Sequence, residues 1–289
     1  MKLYGRIKAL DEKQRILTLG THGRVVKLYL ERGMYQRHIL HLQIGHRMLV
    51  TVTPRKQKHP KYKILHIHKI IGQNRKDRLI FSQKSIVEDT KTLLNEMRTT
   101  MFLDMEMSMH PYHFDKHFVQ EIIQVAYLIV DENNEIIKRV SQFIKPHKHP
   151  KLSHRTLKFL TLTQEDVDRG VDFKTFYETF EADLKTYKPA IMVWGKNDQI
   201  ALKMSLELHD ITPEVTPRFV NLLQLHKNVF LYKDDLGLVK AFELYGHQLN
   251  HSQQHDALED AHMTYRIFEG FKAVLNQERK NPHPRLQKH

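Results

Sequence analysis

The sequence predicts an α/β domain, in which helices flank a mixed sheet, preceded by a small β-barrel. Two observations support this prediction. Residues 1–80 alternate short β-rich runs with turns, whereas residues 81–289 alternate strand and helix patterns. The charge divides at the same place, because residues 1–80 contain 19 Lys+Arg and 4 Asp+Glu and the remainder contain 27 and 29. We therefore expect two modules with different functions.

The overall composition excludes several classes of protein. With 40% hydrophobic residues over 289 positions, the chain can bury an ordinary core and is not a disordered basic tail. It has no Cys, which excludes a disulfide framework, a thiolate zinc site and a catalytic cysteine. It has no long apolar run and no apolar signal core, so we expect a cytoplasmic protein without a membrane partner. The net charge of +13 favours an anionic partner such as nucleic acid, although it could also serve solubility.

The first module, residues 1–72, is predicted to contain five strands and one small helix. The strands are Lys2–Leu10, Arg15–Leu19, Val25–Leu30, Arg47–Thr53 and Tyr62–Ile71, and the helix is Met34–Leu42. Three strands, a helix and two further strands are the order of an OB-like barrel. An SH3-like barrel fits the strand count almost as well.

Basic and aromatic residues in this module indicate that it binds a single strand of nucleic acid. A basic groove with stacking aromatic side chains is a common platform for such strands. We predict nucleic-acid contacts from Tyr4, Arg6, Tyr29, Arg55, Lys56, Lys58 and Lys61. Tyr35 and Tyr62 could also stack on bases. The alternatives are that half of the four tyrosines fill a small core, and that the module only solubilises or docks.

The rest of the chain is divided by composition and periodicity. Residues 73–98 are predicted as a polar linker and a helix, which Ser85 and Glu88 would begin with a capping box. Residues 99–276 form the α/β module, and the polar tail 277–289 is predicted to be disordered. The predicted elements of this module are the strands Met101–Met107, Ile122–Val130, Ile136–Ile144 and Ala190–Trp194 and the helices Asp172–Tyr187, Asp198–His209 and Ala257–Leu275.

Acidic residues at the ends of these elements indicate a metal site. Asp104 and Glu106 alternate along one strand, so both side chains lie on the same side of it. Carboxylates in an apolar strand are costly unless a cation or hydrogen-bond donors compensate. Asp198 follows a short buried strand, and Asp260 lies near the start of the last helix, five residues after His255. Four convergent carboxylates suit two Mg²⁺ or Mn²⁺ ions, which prefer oxygen ligands and can promote phosphodiester hydrolysis.

A purely structural role for the acids is the competing interpretation. Asp198 would then be only a helix N-cap, and Asp260 only a solvated acid in a first helical turn. That interpretation does not explain why Asp104 and Glu106 share one apolar strand.

Three motifs, in this order, resemble those of the DEDDh group of 3′–5′ exonucleases over about residues 100–275. FLDMEMS is similar to the first motif, VWGKNDQIAL to the second, and HDALEDA, which ends at position 261, to the third. The alanines at 257 and 261 select His255 and Asp260 over the alternative pair His251 and Asp256. Trp194-Gly195 and the segment DLGLVKAFELYG are most similar to the Eri-like and KapD-like exonucleases, many of which act on RNA.

The resemblance implies an RNase H-like fold and a two-metal 3′–5′ exonuclease. The four acids would hold two divalent ions, Mg²⁺ or Mn²⁺, and His255 would be the general base. The substrate would be single-stranded nucleic acid, RNA being favoured over DNA, and the products nucleoside 5′-monophosphates. Two alternatives stay open: a DNA-repair or proofreading exonuclease, and a non-catalytic interaction module of the same fold. The second should have lost a motif residue, and this chain retains all five.

The resemblance also implies contacts with the 3′-terminal nucleotide from the residues just after the first motif. These are Met107, Ser108 and Met109, although core packing would equally explain the two methionines. The loop His110–His117 could contact substrate or cap the site. Lys196 departs from the apolar or aromatic residue expected in the second motif, and we expect it to meet a phosphate.

Overall fold

The structure, a computed structural model, divides the chain into two units, Met1–Thr92 and Leu93–His289. It describes residues 1–21, 23–56, 59–72, 79–113, 116–232, 234–248, 256–280 and 282. Among the helices in these ranges, none combines the length and the hydropathy that spanning a bilayer requires.

Six strands and one helix form the first unit up to residue 82. They are β1 (Lys2–Asp11), β2 (Ile16–Thr21), β3 (Arg24–Tyr29), α1 (Arg32–His38) with a 3₁₀ turn over Ile39–His41, β4 (Arg47–Pro54), β5 (Tyr62–Ile71) and β6 (Leu79–Ser82). Buried and exposed residues alternate along β1, where Gly5 and Ile7 are buried and Arg6 and Lys8 are exposed. This alternation is the reason that one face of each strand can line a core.

The strands close into a five-stranded barrel. β1 pairs antiparallel with β2 and β4, β2 pairs with β3, and β4 pairs with β5. The parallel pairing of β3 with β5, Leu28 opposite Tyr62 and Tyr29 opposite Lys63, completes the ring. With a helix between the third and fourth strands, this barrel fits the predicted OB-like domain. A Cβ atom at Gly5 would lie 2.4 Å from the Gly20 carbonyl oxygen, so the close approach of β1 and β2 requires glycine there.

The sixth strand differs from the predicted linker. Residues 73–78 lie outside the described residues, but β6 pairs antiparallel with β5, placing Ser82 opposite Lys69. Ile80 and Phe81 pack against the barrel core, and this burial stabilises the added strand. The short stretch carries too little periodicity to be recognised among its basic neighbours.

The start of the following helix also differs from the prediction. Helix α2 (Gln83–Glu96) begins two residues before Ser85. The Ser85 N–H donates a hydrogen bond of 3.2 Å to Ser82 Oγ, so Ser82 satisfies a first-turn amide. The predicted capping box of Ser85 with Glu88 is therefore wrong, because the chain enters the helix earlier.

The second unit has an α/β architecture. Its elements are β7 (Thr100–Met107), β8 (Ile122–Val130), β9 (Ile136–Lys145), α3 (His154–Leu160), α4 (Gln164–Asp168), β10 (Val171–Asp172), α5 (Phe173–Tyr187), β11 (Ala190–Val193), α6 (Asn197–Leu208), β12 (Phe219–Asn221), α7 (Leu222–Phe230), α8 (Leu238–Leu244) and α9 (Ala257–Leu275). The sheet order is β10-β9-β8-β7-β11-β12. β8 runs antiparallel to both of its neighbours, β7 and β9. The pairs β9–β10, β7–β11 and β11–β12 run parallel, which makes the sheet mixed as predicted.

The sheet determines where the predicted motifs meet. Every residue of β8 is buried, and α9 packs on β7 and β8. Because β7 and β11 are parallel and adjacent, the residues that follow them come together at one edge of the sheet. Helix α6 begins at that edge, just after β11. The first and second motifs therefore converge.

Candidate active site

Strand β7 separates apolar from acidic side chains. Leu103 and Met105 are buried in the core between the sheet and α5, whereas Asp104 and Glu106 are only partly buried. Carboxylate oxygens of Asp104, Glu106 and Asp260 lie within 4.8 Å of one another. Alternation along the strand thus places two acids beside a third from α9.

Asp198 joins the same site through the backbone of β7. Earlier in the second motif, Trp194 Nε1 donates a 2.9 Å hydrogen bond to the Leu236 carbonyl. Gly195 then turns the chain at φ +118°, a conformation that favours glycine. Asp198 is 6% exposed, and its Oδ1 accepts a 3.0 Å hydrogen bond from the Met105 N–H. Lys196 occupies the N-cap position of α6, so Asp198 is not merely a cap.

Asp260 is buried in the first turn of α9. It is 6% exposed, and its Oδ1 has no hydrogen-bond partner among the described residues. A solvated first-turn acid would have neither property. A buried carboxylate oxygen without a donor is costly, and a cation at this position would compensate it.

Burial, and for three of the four acids the charges of neighbouring carboxylates, raise the pKa values at this site. Burial raises the pKa of Asp104 well above its ordinary value, and the neighbouring Asp198, Asp260 and Glu106 carboxylates raise it further. Burial followed by the charges of Asp260 and Asp198 raises the pKa of Glu106 to about 8. Such mutual repulsion is typical of a functional site that works with a bound cation.

The pKa values of the two remaining acids are raised as well. Burial, then the charge of Glu259, raises the pKa of Asp260 to about 7. Burial raises the pKa of Asp198 to about 6, although hydrogen bonds from backbone N–H groups, including that of Met105, oppose the increase. This donor set consists of oxygens and carries excess negative charge, which fits hard divalent cations.

Two residues that the motifs did not identify organise the start of α9. Asp256 is the N-cap, and its Oδ1 accepts 3.0 Å hydrogen bonds from the N–H groups of Leu258 and Glu259. Its Oδ2 accepts 3.0 Å from Gln124 Nε2, and Gln124 lies opposite Glu106 in the β7–β8 ladder. Gln124 thus ties the helix start to the acidic strand. An Asp just before a helical pattern was the available signal for the cap, but nothing local identified Gln124.

Several predicted residues lie outside the described residues, namely the proposed base His255, the barrel residue Lys58 and most of the tail 277–289. Asp256, the neighbour of His255 in sequence, is described at the N-terminus of α9.

The residues after the first motif have different environments. Met107 packs against the core, and Ser108 is 2% exposed with its Oγ accepting from the Glu121 N–H at 2.9 Å. Met109 is partly buried, and its N–H donates 2.9 Å to Thr156 Oγ1. Lys196 is exposed, two residues before Asp198.

Two of the predicted barrel residues, Tyr29 and Arg55, form a cluster that also includes Arg15. Arg55 Cζ lies 4.1 Å from the centroid of the Tyr29 ring, and Arg15 Nη2 donates 2.9 Å to the Tyr29 hydroxyl. Exposed residues elsewhere in the unit include Tyr4, Arg6, Lys56 and Lys61. Tyr35 and Tyr62 instead pack against the barrel core.

Comparisons with known proteins agree with this architecture. The model of the family described as Exonuclease (RNase_T) matches residues 101–268. A relative named "Probable 3'-5' exonuclease KapD", from Bacillus subtilis (strain 168), is 30% identical over 169 residues, which span 58% of this chain and 82% of that protein.

Solved structures share the fold of the second unit. The nuclease domain of 3'hExo, a DEDDh family member bound to rAMP, has a TM-score of 0.55 at 19% identity and covers 63% of this chain and 94% of its own. Cell-death related nuclease 4 (CRN-4) has a TM-score of 0.52 at 21% identity, and the match covers 63% of this chain and 64% of that one. The predicted RNase H-like exonuclease fold is confirmed. The chain therefore belongs to the RNase_T exonuclease family and is a 3′–5′ exonuclease.

Proposed function

We propose that this exonuclease hydrolyses single-stranded nucleic acid, RNA in preference to DNA, and releases nucleoside 5′-monophosphates. One observation supports this proposal most: carboxylate oxygens of Asp104, Glu106 and Asp260 lie within 4.8 Å of one another. Asp198 is held beside the same strand by its hydrogen bond from the Met105 N–H. We propose that these four acids hold two Mg²⁺ or Mn²⁺ ions. When bound, the ions activate water and stabilise the leaving oxygen.

The chain's own residues have distinct roles in this proposal. The hydrogen bond from Met105 orients Asp198 beside β7, and the N-cap Asp256 with Gln124 fixes the start of the helix that carries Asp260. His255 accepts the proton of the attacking water, because an imidazole titrates near neutral pH. The water oxygen bonds to phosphorus, the bond from phosphorus to the 3′ oxygen of the penultimate nucleotide breaks, and that oxygen is protonated.

The 3′-terminal nucleotide is proposed to lie against Met109 and Lys196. The backbone of Met109 is held from both sides, because Ser153 Oγ donates 3.0 Å to its carbonyl and its N–H donates to Thr156. Its partly buried side chain can therefore present a fixed apolar surface to a base. Ser108 bonds to Glu121 through both its Oγ and its N–H, so its proposed contribution is to hold the chain after β7 in place beside the nucleotide.

The barrel is proposed to capture the strand upstream. The Tyr29 ring with the two guanidiniums of Arg15 and Arg55 joins aromatic surface to positive charge, the combination that single-strand platforms use. The net charge of the first 80 residues, 19 Lys+Arg against 4 Asp+Glu, supports the same role.

The preference for RNA rests on the Trp194-Gly195 motif and can be tested directly. Single-stranded RNA and DNA of identical sequence, labelled at the 5′ end, are incubated with the protein and Mn²⁺ or Mg²⁺. We expect a ladder that shortens from the 3′ end, faster for RNA, with 5′-monophosphates identified by chromatography.

The matched variants are Asp104→Asn and Glu132→Gln, the latter an exposed acid in the turn after β8. We expect Asp104→Asn to abolish shortening, a loss of about 10⁴-fold on the scale of removing one catalytic group, and Glu132→Gln to leave it unchanged. Equal activity in Asp104→Asn and the wild type would overturn the site assignment. Faster shortening of DNA would overturn only the substrate preference.

A further inference from the structure

A basic surface of the nuclease unit lies beside the proposed 3′-end site, and its cations have no role in the reaction described above. We name it the basic ledge and define it as residues 109–113, 116–120 and 146–158. Its four lysines make no ion pair with a described carboxylate, although the unit as a whole is slightly acidic. The exposed cations of the ledge are Lys116, Lys148, Lys151 and Lys158, and Arg155 is partly buried among them.

Buried Glu121, which follows residues 116–120, holds this part of the ledge to the loop that begins at residue 146. It is 3% exposed, and its carboxylate accepts hydrogen bonds of 2.6, 2.9 and 3.0 Å from the N–H groups of His147, Lys148 and His149. The Glu121 N–H donates a hydrogen bond to Ser108 Oγ, and the Glu121 carbonyl accepts one from the Ser108 N–H. A buried carboxylate that satisfies three consecutive amides gives this loop a defined shape.

The ledge is also continuous with the strand that bears the catalytic acids. β7 ends at Met107, one residue after Glu106, and the ledge begins two residues later. Ser153 and Thr156 bind the backbone of Met109, and Arg155 Nη1 donates 3.4 Å to the His110 carbonyl. The ledge therefore extends outward from the proposed 3′-end site as a fixed surface.

One aromatic ring on the ledge is strongly exposed. Tyr112 is 69% exposed, and the Arg155 guanidinium lies 5.9 Å from its ring centroid. Within the ledge, the ring centroid of Phe118 lies 5.0 Å from that of His110 and 5.1 Å from that of His149, on which it stacks. Lysines alone would serve solubility, but an exposed tyrosine beside a guanidinium offers a face on which a base can stack.

We propose that the basic ledge binds the substrate strand immediately 5′ of the bond that is cut. Tyr112 stacks on a base of that segment, and Lys148, Lys151 and Lys158 contact its phosphates. The inference rests on the proposed function of the adjacent site and adds a binding subsite, distinct from the barrel, that acts only on substrates with upstream nucleotides.

The test compares substrates with and without upstream nucleotides. The first substrate is a 20-nucleotide single strand, and the second is the p-nitrophenyl ester of thymidine or uridine 5′-monophosphate. Because stacking of one base contributes about 1–3 kcal/mol, we expect Tyr112→Ala to raise KM for the 20-mer about tenfold. Tyr112→Phe should restore the wild-type KM, and the ester should be hydrolysed equally by all three proteins.

The lysines are tested through the salt dependence of binding. Each phosphate contact contributes about 0.7 to the slope of log K against log salt for a single strand, so Lys148→Ala/Lys151→Ala/Lys158→Ala should lower the slope by about 2. The matched control is Lys185→Ala/Lys188→Ala/Lys272→Ala, three cations of the same unit in α5, just after α5 and near the end of α9. We expect the control to retain the wild-type slope.

The outcomes separate this inference from the proposed function. An unchanged KM and salt slope in both ledge variants, with normal turnover of the 20-mer, would overturn the ledge and leave the exonuclease assignment intact. A parallel loss of ester hydrolysis would also overturn it, because the variants would then act on the catalytic site itself. Absence of all Mn²⁺-dependent turnover in the wild type would refute the proposed function, and the salt slope of binding, measured by fluorescence anisotropy, would still decide the ledge.

Discussion

The barrel and the nuclease unit use charge in opposite ways. The barrel carries its cations on exposed positions such as Arg6 and Lys61, where water solvates them at little cost. The nuclease unit gathers carboxylates where burial and mutual repulsion raise their pKa values, to about 8 for Glu106 and about 7 for Asp260. Exposed charges cost little free energy, and they distribute binding over many residues. Buried charges of the same sign cost much more free energy, and they are typical of sites where a few residues carry the chemistry.

This contrast leads to different expectations for mutations. A change in the proposed catalytic acids or base should act on kcat, because these groups are proposed to act on the reacting atoms. A change in the barrel should act on KM and on salt dependence, because its cations are proposed to contact the phosphates of the strand. Each prediction below tests one side of this division.

After Asp104→Asn, the largest expected effect is that of His255→Ala. We expect kcat to fall by about 10³-fold, within the range that general-base catalysis contributes. Binding of Mn²⁺, measured by calorimetry, should be nearly unchanged, because His255 is proposed as a base and not as a ligand. Loss of Mn²⁺ binding together with activity would instead make the histidine a ligand.

The barrel should show an intermediate effect with the opposite signature. We expect Arg6→Ala/Lys56→Ala/Lys61→Ala to raise Kd for a 20-nucleotide single strand roughly tenfold and to lower the salt slope by about 2. Hydrolysis of the nucleotide p-nitrophenyl ester should not change. All three side chains are exposed, so the fold should be retained. If ester hydrolysis falls or the slope stays the same, the division of roles between the two units fails.

The smallest expected effect is on stability as a function of pH. A raised carboxylate pKa means that the folded chain holds the proton more tightly, so the associated stability is present below about pH 4 and is lost as pH rises. For Asp198, Asp260 and Glu106, that loss extends to about pH 6, 7 and 8. The metal-free nuclease unit should therefore be less stable at pH 8 than at pH 5, and bound Mn²⁺ should reverse the difference.

Asp260→Asn measures this effect. It should raise the metal-free Tm at pH 8 by about 3 °C and abolish the stabilisation by Mn²⁺. Fluorescence of Trp194, the only Trp in the sequence, reports melting of this unit alone. Glu132→Gln is again the control and should melt like the wild type. A metal-free Tm that rises from pH 5 to pH 8 in the wild type and not in Asp260→Asn would contradict the proposed destabilisation by these acids.

Short elements were the part of the fold that local pattern predicted least well. Strands β5 and β8 and helix α9 have the predicted bounds, because each is long enough for its periodicity or its continuous apolar run to be distinct. Helices α3 and α4 have 7 and 5 residues, and β10 and β12 have 2 and 3. Elements of that length depend on packing against neighbours distant in the sequence, since isolated short helices are only marginally stable.

The sequence by itself determined the two modules, the alternation that sets Asp104 beside Glu106, and the order of the motif acids. These follow from composition and from side-chain periodicity, which act over a few residues. Tertiary structure decided the rest: the parallel β3–β5 pairing that closes the barrel, the hydrogen bond from Met105 to Asp198, and the ledge that Glu121 assembles from two segments. Each of these joins residues far apart in the chain, and only the packed core brings them within hydrogen-bonding distance.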